Sequence, residues 1–282
     1  GSVAASGAIR WPSAPGAVEQ TPFTLSLSEL SFSGSLGQML GLDGSVTLSA
    51  IDPPATPPGQ ILQAAILDVG VPIESPQVRF QLMPDGRLVL ERVDAAFAGG
   101  RVWAEALEVP LDSETPVEMK LNVELVDAAT LVELIKMDGL VATGTLSGTI
   151  PLVWDPAKGL SVKQASLLAD GNGGFIRYRP VETPAALQGA GEEVSLMLEA
   201  LKNLDYQRFS ISADGRPGDT FQVKLNINGS NPDLYDGHPV DLNVTLSGKL
   251  DELFRDVQRV LGITDEVQKQ LLDGGRGDGT GG

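Results

Sequence analysis

The sequence predicts a mainly β protein built as one long antiparallel sheet, and three observations support that prediction. Most of the chain consists of short runs in which apolar and polar residues alternate, the period-2 pattern of strands. Glycine-containing steps separate the runs, as in LSFSGSL, AFAGGRV, TLSGTIP, GNGGFIR and TLSGKL. Helical periodicity is confined to a few short segments. The echoes are too degenerate for a strict repeat, so they favour one sheet extended strand by strand.

The first alternating run, FTLSLSELSF, changes phase once. Phe23, Leu25 and Leu27 share a face, whereas Leu30 and Phe32 follow one residue out of step. A single inserted residue at Glu29 restores the apolar residues to one face, so we predict a β-bulge there.

The middle of the chain continues the pattern. DGSVTLSAI is a further alternating run, and the proline-rich residues 52–60 form a connector. VRFQLMPDGRLVLERV predicts a hairpin that turns at residues 84–86. AAFAGGRVWAEALEVPL and LSVKQASLLADGNGGFIRY each predict two strands joined by a glycine step.

Two runs on either side of a short helix have their own features. PVEMKLNVELV alternates through to Leu125, which we assign to the same face as Val123. GTLSGTIPLVWD contains Pro151, which has no N–H for a ladder bond and therefore indicates an edge, a bulge or irregular pairing.

The ribbon FQVKLNINGSNPDLYDGHPVDLNVTLSG, residues 221–248, raises the question of what covers an apolar face. Its two strands, if paired, place eight large apolar side chains on one side. Covering each of them is worth roughly 1.5–3 kcal/mol, so that face needs a partner. A second sheet or the flanking helices are one answer, and a lipid is the other.

Three segments have helical periodicity, at residues 128–137, 193–204 and 249–262. Gly262 ends the third, and Thr264 caps a further short helix. The acidic polar faces of the second and third helices are unsuited to anionic headgroups, so we expect both to pack across the end of the sheet. The glycine-rich residues 274–282 predict a disordered tail.

Composition excludes several classes of function. The formal charge of −17 disfavours nucleic acid as a partner. Cysteine is absent, which excludes disulfides and thiolate chemistry. The single histidine argues against metal sites, cofactors and catalysis. No segment is long and apolar enough to span a bilayer. We interpret Gly1-Ser2 as the remnant of a tag, on a fragment whose targeting and anchoring segments lie outside it.

The connector of the ribbon contains the chain's candidate polar site. His238 lies beside a proline in DGHPV and is interpreted as an exposed turn residue. Asp233, Asp236 and Asp241 surround it, but their spacing is not that of a calcium-binding loop. The sequence therefore predicts neither an enzyme nor a metal protein.

Several ordered landmarks resemble one family. GSNPDLYDGHPVDLNVTL, preceded by ALKNLDYQRFSI and further back by LSGTIPLVWD and GGFIRY, is similar to the C-terminal region of the YdbH family. That family belongs with the AsmA-like and TamB-like bacterial envelope proteins. The resemblance covers residues from about 70 to about 260, and the earlier residues fit as upstream strands of the same kind.

The resemblance implies a twisted sheet folded lengthwise into an open, apolar groove of the β-taco type, with a few short amphipathic helices. It implies phospholipid transport between the inner and outer membranes of a diderm bacterium. The groove would lie in the periplasm, and a segment absent here would anchor the protein in the inner membrane. A small outer-membrane lipoprotein would join the C-terminal end of the sheet by strand addition.

Combined with the alternation, the resemblance gives a predicted groove lining and domain boundaries. The lining consists of Leu146, Ile150, Leu152, Trp154, Phe221, Val223, Leu225, Ile227, Val240, Leu242, Val244 and Leu246. Upstream strands occupy residues 1–70, the YdbH-like region residues 71–262, and a short helix with the tail residues 263–282. The alternative is a structural or adhesive β-sandwich that binds protein partners and carries no lipid.

Overall fold

The computed structural model of the protein describes residues 1–7, 22–34, 37–69, 71–111, 115–135, 138–156, 159–171, 173–180, 191–216 and 220–249. Seventeen of its strands form one sheet in which every pairing is antiparallel. The predicted β class is confirmed. The predicted helix from residue 249, the short helix after it and the tail lie outside the described residues.

The elements of the first half are as follows: β1 Ser2–Ser6, β2 Phe23–Gly34, β3 Gly37–Leu48, β4 Ala50–Ile51, β5 Pro54–Ala55, β6 Gln60–Gln63, β7 Ile66–Asp68, β8 Pro72–Leu82, β9 Arg87–Phe97, β10 Gly100–Ala104 and β11 Leu107–Pro110. Strands β4 and β5 form a separate two-stranded sheet, with β4 directly before the predicted connector and β5 inside it. The predicted hairpin is β8 and β9, with its turn at residues 83–86.

The elements of the second half are as follows: β12 Val117–Asp127, α1 Ala128–Ile135, β13 Leu140–Ala142, β14 Thr145–Asp155, β15 Gly159–Ala169, β16 Gly174–Tyr178, α2 Gly191–Leu201, β17 Leu204–Gly215, β18 Thr220–Ser230 and β19 Pro239–Lys249. The helices predicted at residues 128–137 and 193–204 are thus α1 and α2. Pro151 lies in β14 where the pairing with β15 shifts register, as its missing N–H predicted.

The pairing follows the chain with little crossing. The order of neighbours is β1, β2, β3, β6/β7, β8, β9, β10/β11, β12, β14, β15, β17, β18 and β19, where a slash marks two short strands that share one position in the sheet. The short strands β13 and β16 pair with each other, and β16 also pairs with β17. In the described part of the chain, β1 and β19 each have one neighbour, so the sheet is open at both edges.

Register shifts interrupt six of the strand pairings, and one of them is the bulge predicted at Glu29. An inserted residue with positive φ marks four of the interruptions: Glu29, Ser75, Leu125 and Gln164. Leu125 was assigned to the apolar face, and that assignment is wrong. Leu125 is the inserted residue and is 60% exposed, while Val126 takes its place on the apolar face with no exposure.

A bulge frees a backbone N–H from the ladder, and side chains of the neighbouring strand accept three of these hydrogen bonds. The three bonds have one length, 3.0 Å: Glu29 N to Asp43 Oδ1, Leu125 N to Ser147 Oγ, and Gln164 N to Asp214 Oδ2. Each bulge is therefore held by a polar side chain on the outer side of the sheet.

Bulges and strand breaks lie at a similar level on adjacent strands. The break between β6 and β7 faces the bulge of β8, where Ser75 N donates to Ala65 O at 2.9 Å. In the second half of the sheet, the bulge of β12 lies beside Ser147 of β14. Ser147 is a few residues from the break between β13 and β14, and a neighbouring break separates β15 from β16. Bulges bend strands locally, and these irregularities follow one another across the sheet.

The connector between β18 and β19 is joined to α2 through Asn231, a 2% exposed side chain. Its Nδ2 donates to the carbonyl oxygens of Glu199 and Ala200 at 3.1 Å each, and its Oδ1 accepts from Asp233 N at 2.8 Å. The amide thus supplies hydrogen bonds to two carbonyls in the last turn of α2, of which Glu199 O also accepts from Lys202 N at 3.2 Å. One buried side chain holds the helix against the end of the sheet.

Replacement of Asn231 tests this contact. We expect Asn231→Ala to lower the free energy of unfolding by about 3 kcal/mol, because buried backbone groups lose their hydrogen-bonding partners. Urea unfolding followed by circular dichroism measures the change. Asn226→Ala, at an exposed position on the outer face of β18, is the control and is expected to change stability by less than ~0.5 kcal/mol. Equal effects of the two substitutions would contradict the proposed contact.

Replacement of Ser147 tests the bulge contacts. Its Oγ accepts from Leu125 N and donates to Asp170 Oδ2 at 2.6 Å, so Ser147→Ala removes two hydrogen bonds. We expect a loss of about 1–2 kcal/mol in unfolding free energy and faster amide exchange at Leu125. Ser166→Ala, an exposed serine on neighbouring β15, is the control. Unchanged exchange at Leu125 in Ser147→Ala would show that the hydroxyl does not hold the bulge.

Candidate functional site

The pairing registers place apolar side chains on the same face of every strand in the large sheet. In the ribbon, Val223 lies opposite Leu246, and Leu225 opposite Val244. Through β17 and β15 the same face continues to Leu152 and beyond. The opposite, outer face consists mainly of Ser, Thr, Asn, Gln and charged residues. The two-faced ribbon predicted from the sequence is therefore one part of a face that extends across the whole described sheet.

Ten further strands contribute to this apolar face, and sequence reasoning did not assign them to the site. Their side chains include Phe23, Leu25, Leu27, Leu30, Val46, Leu62, Val78, Phe80, Leu88, Leu90, Val93, Val102, Leu107, Val117, Met119, Leu121, Val162, Leu167, Phe209 and Ile211. The sequence feature that could have identified these residues is the change of phase in the apolar alternation within runs such as LSVKQASLL. Allowing one inserted residue at each such change places the apolar residues on one face.

Charge is missing from this face in the described strands. Registered positions on it carry no Asp, Glu, Lys or Arg, and Gln60, opposite Phe80, is a polar exception. The amide of Gln60 is occupied, since its Oε1 accepts from Thr47 N at 2.8 Å and its Nε2 donates to Pro57 O at 3.2 Å. Tyr206 also faces this side, and its hydroxyl donates to Thr143 O at 2.6 Å. Burial raises the pKa of that phenol, which keeps it neutral.

Coverage of the face is uneven. At the end of the strands where α1 lies, Val123 is 3% exposed, Val126 0% and Leu146 1%. Leu131 and Leu134 of α1 pack against the cluster that contains Val123 and Val126. Toward the opposite strand ends, the large side chains of the same face are half-buried. In the described part of the chain, the face is therefore most fully buried beside α1, and its other large side chains keep partial exposure.

The twelve residues predicted to line a groove divide accordingly. Leu146 and Ile227 are buried, and Ile150 and Leu242 pack against the buried clusters near α1. Seven are half-buried on the uncovered part of the face, namely Leu152, Trp154, Phe221, Val223, Leu225, Val240 and Val244. The backbone of Leu246 pairs with Val223, but its side chain lies outside the described residues.

The charged groups are concentrated on the outer face, where they pair with one another. The Asp94 carboxylate forms ion pairs with Arg101 and Arg92, and Arg92 Nε lies 2.7 Å from Asp94 Oδ2. The Arg92 guanidinium also lies over the Trp103 ring, 5.7 Å from the ring centroid. The hydrogen bond from Arg101, followed by that from Arg92, lowers the pKa of the Asp94 carboxyl. These contacts stabilise the outer face and leave the apolar face without electrostatic features.

Polar clusters that could perform chemistry were sought among the described residues. His238 is an exposed turn residue whose Nδ1 lies 2.5 Å from Tyr235 O. Asp233 accepts from Asn203 Nδ2 at 2.6 Å, and Asp241 from Asn228 Nδ2 at 2.5 Å. No three His, Asp or Glu side chains in the described ranges are grouped to hold a metal ion.

The apolar face is long in the direction across its strands. Thirteen strand positions follow one another in the pairing path, and at ~4.8 Å per step the face extends for about 58 Å across them. Its strands run for up to 12 residues in the other direction. Among the described residues, no helix has the length and hydropathy needed to cross a bilayer.

Comparison with known proteins gives one match. A sequence model of the family described as "YdbH-like: Intermembrane phospholipid transport protein YdbH" matches residues 1–272. No curated protein and no solved structure matches the chain. The family match covers the first 70 residues as well as the landmarks of the C-terminal half. An accessible apolar face on one open sheet accords with the family's description, and the chain belongs to the YdbH-like family of intermembrane phospholipid transport proteins.

Proposed function

We propose that the apolar face is the inner surface of an open groove that carries the acyl chains of phospholipids from the inner to the outer membrane. The observation that supports this most strongly is the continuous, uncharged and partly uncovered apolar face. An acyl chain forms no hydrogen bonds, so a surface of this kind is all that it requires. The headgroup stays at the open side, in water.

The row of bulges supplies the curvature that a groove needs. Bending the sheet along a line across its strands turns each strand into two arms, with the apolar face between them. The bulges at Glu29 and Leu125 have their N–H groups bound on the outer face, so the inner surface remains free of polar groups. The groove axis then runs from β1 toward β19.

A structural or adhesive β-sandwich remains the competing function. A sandwich needs a second layer that buries the apolar side chains to the level of a protein core. In the described residues that level is reached near α1, and half-buried side chains such as Leu225 and Leu152 lie outside it. Their partial exposure favours an external hydrocarbon occupant, and the absence of charge on the face argues against an enzyme.

The cellular setting follows from the family and from the open edge of β19. We propose a periplasmic location in a diderm bacterium, with anchoring to the inner membrane through a segment outside this sequence. Among the described strands, β19 pairs with β18 alone, so its other side can accept a further strand. A small outer-membrane lipoprotein that adds a strand there would continue the apolar surface to the outer membrane.

Lipid binding is tested by placing a charge on each face in turn. Leu225→Glu puts a carboxylate in the middle of the proposed groove, and Asn226→Glu puts the same charge one residue away on the outer face. Because a carboxylate next to hydrocarbon is poorly solvated, we expect at least a roughly tenfold loss of co-purified phospholipid for Leu225→Glu. Asn226→Glu should keep the wild-type amount.

Mass spectrometry of an organic-solvent extract, normalised to protein, gives the lipid content, and a fluorescent phospholipid gives an independent binding signal. Wild-type protein that contains no phospholipid and binds no fluorescent lipid would favour the sandwich.

Strand addition is tested with two neighbouring prolines in β19. In an antiparallel edge strand, consecutive N–H groups point alternately to the paired strand and to the free edge. Of Asn243→Pro and Val244→Pro, one therefore disrupts pairing with β18 and the other alters the free edge. We expect the edge-facing variant to keep the wild-type melting temperature within a few degrees and to lose capture of a short lipoprotein from solubilised envelope membranes. Equal capture by that variant and the wild type would rule out addition at β19.

A further inference from the structure

Helix α1 is fixed firmly at its first turn. Asp127 Oδ1 accepts from Thr130 N at 2.8 Å and from Thr130 Oγ1 at 2.9 Å, which caps the helix. The neighbouring backbone is tied to two other strand ends, since Asp127 N donates to Ala98 O and Ala128 N to Gly144 O, both at 2.9 Å. The helix begins at a defined place on the sheet.

From that start, α1 lies on the apolar face. Leu131 and Leu134 pack against the buried cluster of Ala98, Val123 and Val126, and Ile150 and Leu167 of the apolar face pack against the same cluster. Val132 packs against a second cluster, formed mainly by β16, β17 and β18. Large side chains of the face are fully buried near these contacts. The helix therefore fills the space above the face at one end of the strands.

The uncovered depth is similar on three strands. It runs from Val117 to the buried Val123 on β12, and from Phe221 to the buried Ile227 on β18. On β14 the matching stretch runs from Trp154 to Gly148, which lies opposite Val123. Six residue steps of ~3.3 Å make this depth about 20 Å. One leaflet of a bilayer has a hydrocarbon thickness of about 15 Å, half of the ~30 Å core.

We propose that α1 is the floor of the groove and that it sets the acyl-chain length the groove accepts. This inference rests on the proposed lipid-carrying function. Chains lie along the strands with their methyl ends toward Leu131 and Leu134, and the headgroup is at the far strand ends. A chain shorter than the uncovered depth fits, and a longer one leaves methylenes outside the apolar surface.

Chain length then has a distinctive effect on transfer from vesicles. Below the limit, an added methylene moves from bilayer hydrocarbon to groove hydrocarbon and changes occupancy little. Above the limit, each methylene left in water lowers occupancy about fourfold per chain, which corresponds to ~0.8 kcal/mol. Occupancy plotted against chain length should be flat and then fall at a break.

The experiment uses the full chain and vesicles of phosphatidylglycerols with saturated chains that increase in two-carbon steps, mixed in equal amounts. Bound lipid is identified by mass spectrometry, and its composition is divided by that of the vesicles. We expect Leu131→Ala/Leu134→Ala to move the break to longer chains because the floor recedes. Glu133→Ala, at an exposed position on α1, should leave the break unchanged.

A second pair of variants works in the opposite direction and does not alter the helix. Ala213 lies on the apolar face of β17, opposite Val223, and Ala213→Leu should move the break to shorter chains. Ser212→Leu adds the same bulk on the outer face of the strand and should leave it in place. If the double helix variant does not fold, the single substitution Leu134→Ala is measured in its place and is expected to move the break in the same direction.

Two negative results have different meanings. A break at the same chain length in the wild type and Leu131→Ala/Leu134→Ala, or no break at all, overturns the role of α1 while lipid binding stands. Wild-type protein that takes up no phosphatidylglycerol of any length overturns the proposed function itself.

Discussion

The structure depends on the phase of side-chain alternation being maintained across every strand. A β-strand changes face at each residue, so one inserted residue would send all later apolar side chains to the wrong side. Here insertions are used to correct the phase instead: Leu27 and Leu30 share a face because Glu29 is inserted between them. The same correction at Leu125 and Gln164 makes the apolar face continuous from strand to strand.

That continuity requires polar groups to be accommodated elsewhere. The N–H groups freed by bulges are bound by Asp43, Ser147 and Asp214 on the outer face, and ion pairs such as those of Asp94 lie there too. At the end of the sheet, Asn231 and Tyr206 bury their polar atoms against backbone carbonyls. The net charge of −17 is compatible with an apolar inner surface because the charged side chains of the described sheet lie on its other face.

The sequence was informative wherever alternation was long and unbroken. It predicted the β class, the ribbon of β18 and β19 with its shared face, and the bulge at Glu29, where the apolar residues themselves change phase. It misassigned Leu125, because in VELV both leucine and the following valine are apolar and alternation does not say which is inserted. It also missed the packing of α1 against the clusters that contain Val126 and Ile227, since helix position depends on contacts between residues distant in sequence.

An apolar face of this kind suits transport better than storage. Transfer of an acyl chain from a bilayer to a hydrocarbon-like groove exchanges one apolar environment for another, so its free energy is close to zero at each step. A charged residue on the face would create a barrier, and a deep, specific pocket would create a trap. The uniform row of Val, Leu, Ile and Phe side chains creates neither. In the proposed groove, this lining gives an acyl chain one continuous apolar path along the sheet.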